Sequence, residues 1–352
     1  MRLALDAKIF ITGHNETVGR AIMRHLQGLG YRNIVTYDEC TPVGWDPLRV
    51  NAFFEQHLPD YVFLAPLSLH GVADDRLTPA TWLRQTLLMV TSVIHASYLY
   101  EVDRLLCIDS DPTLFDARLL DAGGAGPGDW YLQSELIAES QRARAAAGHI
   151  MSEMCDSYRT QYGCHFSSAV AGSLYGPGLR LDALRGNLVS ALFRKVLRAA
   201  ETGQDVVELY GEPDAPCELL YIDDLADACL FLIEQLSEAG TISIRTDESC
   251  TLGQLAETVG AVTGYSGVFR FSGANEAEWP HLPREVLLRE GGDAALRPGQ
   301  PDTSPQDQDG CQQGTGSPGR LRRAGWLPET TLEGGCKKTY RWFQRHYLEA
   351  VS

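Results

Sequence analysis

The chain has 352 residues, 44% of them hydrophobic and 22% charged, and carries a formal net charge of -16. That length can bury an ample core, as one large domain or two intimate ones, and the composition is that of a soluble globular protein. The acid excess repels polynucleotides and anionic lipid, which argues against a nucleic-acid or membrane partner and otherwise simply keeps the protein dissolved.

Strand and helix patterns alternate from the start. Lys8 to Thr12, KIFIT, reads as a buried strand, and Val18 to Leu29 has helical spacing ended by Gly30. Asp6 and Lys8 interrupt the apolar opening, so neither a signal peptide nor a membrane span is expected. NIVTYD is a second strand ending in Asp38, PLRVNAFFEQH a helix, and YVFLA a third strand ending in Ala65. Thr81 to Tyr100 is a long helix, RLLCID a fourth strand, Ala143 to Tyr162 another helix and HFSSAVA a further strand. This alternation predicts an α/β fold, a doubly wound parallel sheet of the Rossmann kind, over residues 1–176.

After Gly176 the texture changes. Asn187 to Ala200 is a helix, DVVELYG a short strand, and LLYIDDLADACLFLIEQL a strand running into a helix. TLGQLAETVGAVTG is a helix, and ETTLEGGCKKTYRWFQRHY closes the chain. Residues 177–352 are thus expected to form a smaller α/β substrate-type domain, interleaved with the end of the sheet. Gly291 to Gly319 is rich in Gly, Pro, Gln, Asp and Ser and reads as a disordered loop, or else as a segment that folds against a partner. The nine cysteines are scattered and never spaced as CxxC. They predict reduced thiols in a cytoplasmic setting, with no disulfide framework and no metal site.

The turn FITGHNETVG has the outline of a dinucleotide-binding loop. Gly13 and Gly19 fit the outer positions of G-x-x-G-x-x-G, where amide groups at a helix start face a pyrophosphate. Glu16 holds the middle position. Its carboxylate would repel a phosphate by ~4 kcal/mol at ~4 Å and an effective dielectric of about 20, unless it swings outward. The candidate cofactor set is Gly13, Glu16, Thr17, Val18, Gly19, Asp38 and Ala65. Asp38 either accepts from an adenosine ribose, which favours NAD over NADP, or merely sits in the polar loop YDECTP. Glu16 weighs against any tight dinucleotide grip.

The opening KIFITGHNETVGRAI resembles the GDP-fucose synthase family of extended short-chain dehydrogenase/reductases. The resemblance recurs in VIHASYLYEVDRLLCIDS, CDSYRTQYGCHFSSAVAGSLYGPG, ELLYIDDLADA and TYRWF, and it spans most of the chain outside residues 116–143 and 291–319. It implies a Rossmann domain with a smaller substrate domain, a homodimer, and NAD(P)-dependent epimerase/reductase chemistry on a GDP-4-keto-6-deoxy sugar. Carried over residue by residue, that chemistry meets replacements. The Tyr-x-x-x-Lys pair of the family falls on Arg144 and Gly148. Arginine stays protonated near neutrality and glycine has no side chain. Tyr131 lies upstream, with Glu135 four residues on to raise its pKa. The serine–serine–cysteine motif of the family falls on Ser110, Asp111 and Pro112, and its histidine on or near Asn187. Cys107 reads as a buried hydrophobe, and His149 and His165 as structural. The diphosphate-anchoring arginine falls on Cys217, and the basic residues that grip an NADP phosphate fall at Asn15 and around Tyr37 to Glu39.

Two functions follow as expectations. One is a non-catalytic descendant that binds a nucleotide or serves as a scaffold, as a homodimer or in complex with an active relative or a larger assembly. The other is a nucleotide-sugar epimerase/reductase or dehydratase with rearranged catalytic residues, drawn from Asp109, Ser110, Asp111, Tyr131 and Asp182, although acids in loops are usually only solvated. The ancestral reaction itself would need new residues in every role.

Overall fold

The computed structural model describes residues 2–37, 45–65, 79–109, 135–179, 188–210, 212–235, 241–246, 249–272 and 320–351. Six parallel strands form the main sheet: β1 (Ile9–Ile11), β2 (Ile34–Thr36), β3 (Tyr61–Leu64), β4 (Arg104–Asp109), β5 (Phe166–Ala171) and β9 (Thr241–Ile244). Their order is β2-β1-β3-β4-β5-β9. The register pairs Ile9 with both Ile34 and Tyr61, Leu105 with Phe166, and Ala169 with Ile242.

The strands are apolar on both faces, as a doubly covered parallel sheet requires. Phe10, Val62, Leu64, Leu105 and Cys107 pack with buried residues of helices α2 (Pro47–His57), α3 (Pro79–Leu99) and α4 (Glu135–Tyr162). Their neighbours in sequence, Ile9, Ile11, Phe63, Leu106 and Ile108, face the opposite layer. That layer holds α1 (Thr17–Gly28) and α6 (Ile222–Gln235). The stripe Val18, Ala21, Ile22 and Leu26 gives α1 the spacing that puts one face on the sheet. Helix α2 starts where Asp46 accepts from the Leu48 amide at 3.0 Å, with Pro47 in the first turn.

A second group of elements surrounds a separate apolar cluster. It contains α5 (Leu188–Thr202), α7 (Leu252–Thr263), α9 (Leu332–Val351), β7 (Val206–Tyr210) and β8 (Pro216–Tyr221). Strand β8 pairs parallel with β6 (Ser173–Tyr175) and antiparallel with β10 (Ser249–Thr251), and β7 pairs parallel with β11 (Val268–Ser272). Thr251 and Gln254 form a reciprocal capping box that starts α7. A short helix, α8 (Arg320–Arg323), precedes Trp326, whose indole N–H donates to Asp227 at 2.8 Å.

The structure departs from the sequence expectations in three places. Helix α4 begins at Glu135, eight residues before the periodic pattern suggested. Strands β6 and β10 have only three residues each and do not stand out, the five-residue β11 is not among the expected elements, and β9 is a four-residue TISI that joins the sheet by pairing with β5. The expected strand NIVTYD is extended only over Ile34–Thr36, and Asp38 lies outside the described residues. So does Gly291 to Gly319.

Candidate active site at the sheet switch point

Strand order reverses beside β1: β2 lies on one side, β3 and its successors on the other. In open α/β sheets, ligands bind in the crevice beyond the carboxyl ends of the two strands that flank such a reversal. Here those ends are Thr12–Gly13 after β1 and Ala65 after β3. The buried Thr12 hydroxyl donates to the Ala65 carbonyl at 2.9 Å, and the Thr12 amide donates to Phe63 at 3.0 Å. The two strand ends are thereby fixed against one another.

The turn itself is built on glycines. Gly13 has φ +61°, the left-handed region that a side chain disfavours. A Cβ on Gly19 would lie 2.2 Å from the Gly13 carbonyl oxygen and 2.6 Å from that of Thr12, so only glycine lets α1 approach β1 this closely. Val18, beside it, is buried in the sheet-facing layer. Glu16 caps the helix through its backbone: its amide donates to Gly13 at 2.9 Å and its carbonyl accepts from Arg20 at 2.9 Å. At φ -95° its backbone is ordinary extended chain, so the middle position of the turn holds a side chain without strain. The Glu16 side chain makes no capping hydrogen bond to the helix. Thr17 donates its hydroxyl to Gly178 at 3.3 Å and so links the start of α1 to the segment after β6.

A dinucleotide fits this backbone. The turn brings the N-terminal amides of α1 to the mouth of the crevice, with no Cβ at either Gly13 or Gly19. The one discordant group is the Glu16 carboxylate.

Of the remaining expected site residues, Ser110, Asp111, Pro112, Asn187, Asp38, Tyr131 and Asp182 lie outside the described residues. Arg144 and Gly148 are both on α4, and Gly148 is buried there. Asp109 ends β4 and is half-buried. Cys107 lies inside β4 with its sulfur 3.4 Å from that of Cys155; burial first, then Cys155, pushes its thiol pKa well up. His149 is exposed on α4, and His165 precedes β5, at the end of the sheet opposite the crevice. Cys217 is buried in β8.

Several of the described tyrosines are desolvated. Tyr31, Tyr61, Tyr158, Tyr175, Tyr221 and Tyr265 all have their pKa raised, in each case chiefly by desolvation. Tyr175 and Tyr221 are packed edge to face, with ring centroids 5.4 Å apart, as core residues. The sequence had not marked the Thr12–Ala65 or the Thr17–Gly178 bond. Each partner lies far along the chain, and no local pattern encodes such a contact.

Residues 9–244 match the family described as the NAD dependent epimerase/dehydratase family. GDP-L-fucose synthase 1 of Arabidopsis thaliana is 28% identical over 349 residues, covering 97% of this chain and 94% of that protein. GDP-L-fucose synthase of Escherichia coli (strain K12) is 28% identical over 352 residues, covering 96% of each. Among solved structures, a GDP-D-glycero-L-gluco-heptose synthase from Campylobacter jejuni in the presence of NADPH superposes with a TM-score of 0.70. It is 22% identical and covers 97% of this chain and 100% of that one. A GDP-L-fucose synthetase from Naegleria fowleri bound to NADP gives a TM-score of 0.68 at 18% identity, covering 99% and 96%. Among the described residues no helix is long and apolar enough to cross a membrane, and no group of three or more His, Cys, Asp or Glu could hold a metal ion.

Proposed function

The chain belongs to the NAD dependent epimerase/dehydratase family, and from that premise we propose that it binds a nicotinamide dinucleotide at the switch-point crevice and acts on a nucleotide sugar. The substrate class is a GDP-linked keto sugar, as the names of its relatives suggest. The reaction class is epimerisation or reduction beside the ketone, with proton-handling groups other than a Tyr-x-x-x-Lys pair. The single observation that carries this reading is the closeness of Gly19 to Gly13, which leaves no room for a Cβ. Helix packing alone tolerates many residues; this approach brings the helix start to where a pyrophosphate would lie.

The roles follow from the chain's own groups. Gly13, Thr17, Val18 and Gly19 supply the turn and its amides, and Thr12 with Ala65 hold the crevice floor. Glu16 weakens the grip unless its side chain turns outward. A bound nicotinamide would supply or accept the hydride. Asp38 favours NAD over NADP, whereas NADPH and NADP are named with two of the similar structures. Residues after 176 form the substrate-binding part, and the chain pairs as a homodimer.

A second reading, binding without turnover, is favoured by Gly148. It stands buried on α4 at the place where the resemblance puts the lysine. Calorimetric titration of the pure protein with NADH and NADPH, followed by nicotinamide absorbance in the presence of GDP-4-keto-6-deoxymannose, separates the two. Binding with oxidation of the nicotinamide supports the enzyme. Binding without turnover supports the second reading. The absence of any dinucleotide binding defeats both.

A further inference from the structure

Cys217 and Cys250 are direct register partners across the antiparallel pair β8–β10, although 33 residues separate them in the chain. Directly opposed residues in an antiparallel ladder have Cα atoms about 4.5–5.5 Å apart, inside the roughly 4.4–6.8 Å span that a disulfide bridges. The Cys250 sulfur already lies against the β8 backbone, 3.5 Å from the Cys217 carbonyl oxygen. Cys217 is buried, whereas Cys250 is partly exposed at the sheet edge and open to a reagent.

We propose that Cys217 and Cys250 form a reversible redox pair, a modification site that closes into a cross-strand disulfide on contact with a low-molecular-weight disulfide such as oxidised glutathione.

The two sulfurs have unequal tasks, and the surroundings suit them. A hydrogen bond from Cys217 holds Cys250 below the ordinary thiol range, and the same bond, with burial, raises Cys217. Cys250, the more exposed of the two, is the attacking sulfur, and the buried Cys217 opposite it is the resolving one. The Cys250 sulfur attacks one sulfur of glutathione disulfide, forming a mixed disulfide and expelling one glutathione thiolate. The Cys217 sulfur then attacks the Cys250 sulfur and expels the second glutathione as its thiolate, and the two protons given up by Cys250 and Cys217 convert the two departing thiolates to thiols. Two protein thiols are oxidised and one glutathione disulfide is reduced to two thiols.

The molecule contains its own control. Cys107 and Cys155 lie 3.4 Å apart, sulfur to sulfur, but both are buried in the core and closed to reagents. They are expected to stay reduced under the same conditions. Cys336, also buried near Cys250, has its thiol pushed up to about 12 by desolvation and then by Cys250, which makes it a poor competitor.

The test uses the full chain equilibrated with glutathione at graded ratios of oxidised to reduced form, then quenched, alkylated and digested for mass spectrometry. The expected result is one linked peptide pair joining Cys217 to Cys250, lighter by two hydrogens, reversed by dithiothreitol and absent from both C250S and C217S. Circular dichroism of the oxidised wild-type chain checks that the fold is intact, so the result stands even where C217S folds poorly. Three results would overturn the proposal: both thiols alkylated singly in excess oxidised glutathione, a stable Cys250–glutathione adduct with Cys217 still free, or a bridge from Cys250 to any other cysteine.

Discussion

Thr12 and Ala65 stand 53 residues apart in the chain, yet the Thr12 hydroxyl donates to the Ala65 carbonyl at 2.9 Å in a fully buried site. The bond joins the carboxyl ends of the two strands that flank the sheet reversal. Replacing Thr12 with valine keeps the shape but removes the donor from a buried carbonyl. The expected loss is about 1–3 kcal/mol of unfolding free energy. Urea denaturation measures it, and an unchanged midpoint would show that the carbonyl finds another partner.

Gly19→Ala is a sharper test of the turn. The added carbon meets the backbone carbonyls of Gly13 and Thr12, which cannot rotate away as a side chain can. Overpacking of this kind costs about 1–3 kcal/mol, and sometimes more. The variant is expected to melt at lower temperature and to lose dinucleotide binding together with stability. By contrast Gly28→Ala, on the same helix with open space around it, is expected to be neutral or slightly stabilising.

Glu16 sits where a pyrophosphate-binding turn would have no carboxylate. Glu16→Gly is expected to tighten dinucleotide binding by about tenfold or more, each factor of ten being about 1.4 kcal/mol. Glu16→Gln, which removes the charge but keeps the bulk, should fall between the two. Calorimetry on the three proteins decides. Equal affinities would mean that the wild-type side chain already points away from the site.

Asp227 links α6 to the layer around Trp326. Its carboxyl is held below the usual range first by the His25 ring, whose Nε2 lies 3.4 Å away at ion-pair distance, and then by the Trp326 indole N–H, against an opposing effect of burial. A depressed carboxylate contributes stability that is complete above its unfolded pKa, near ~3.9, and is lost as pH falls through the lower folded value. Half of the side chain is solvent-exposed, so screening keeps the effect modest. Wild type should lose stability more steeply below about pH 4 than Asp227→Asn. Parallel urea midpoints from pH 7 down to acid for the two proteins would rule this out.

The sequence alone determined the alternation of strands and helices and the glycine turn after β1. These are encoded locally: apolar periodicity of two or 3.6, and residues whose backbone freedom the turn needs. It likewise placed Arg144 and Gly148 on a helix, as they are found. It did not show that TISI completes the main sheet beside β5, nor that Thr12 reaches Ala65, nor that Cys217 faces Cys250 across β8 and β10. Read as a line, the nine cysteines looked scattered; folded, two of the described ones share a register position. Those relationships are decided by strand pairing between distant segments, which depends on how whole apolar faces pack together. No single stretch of the chain carries that information.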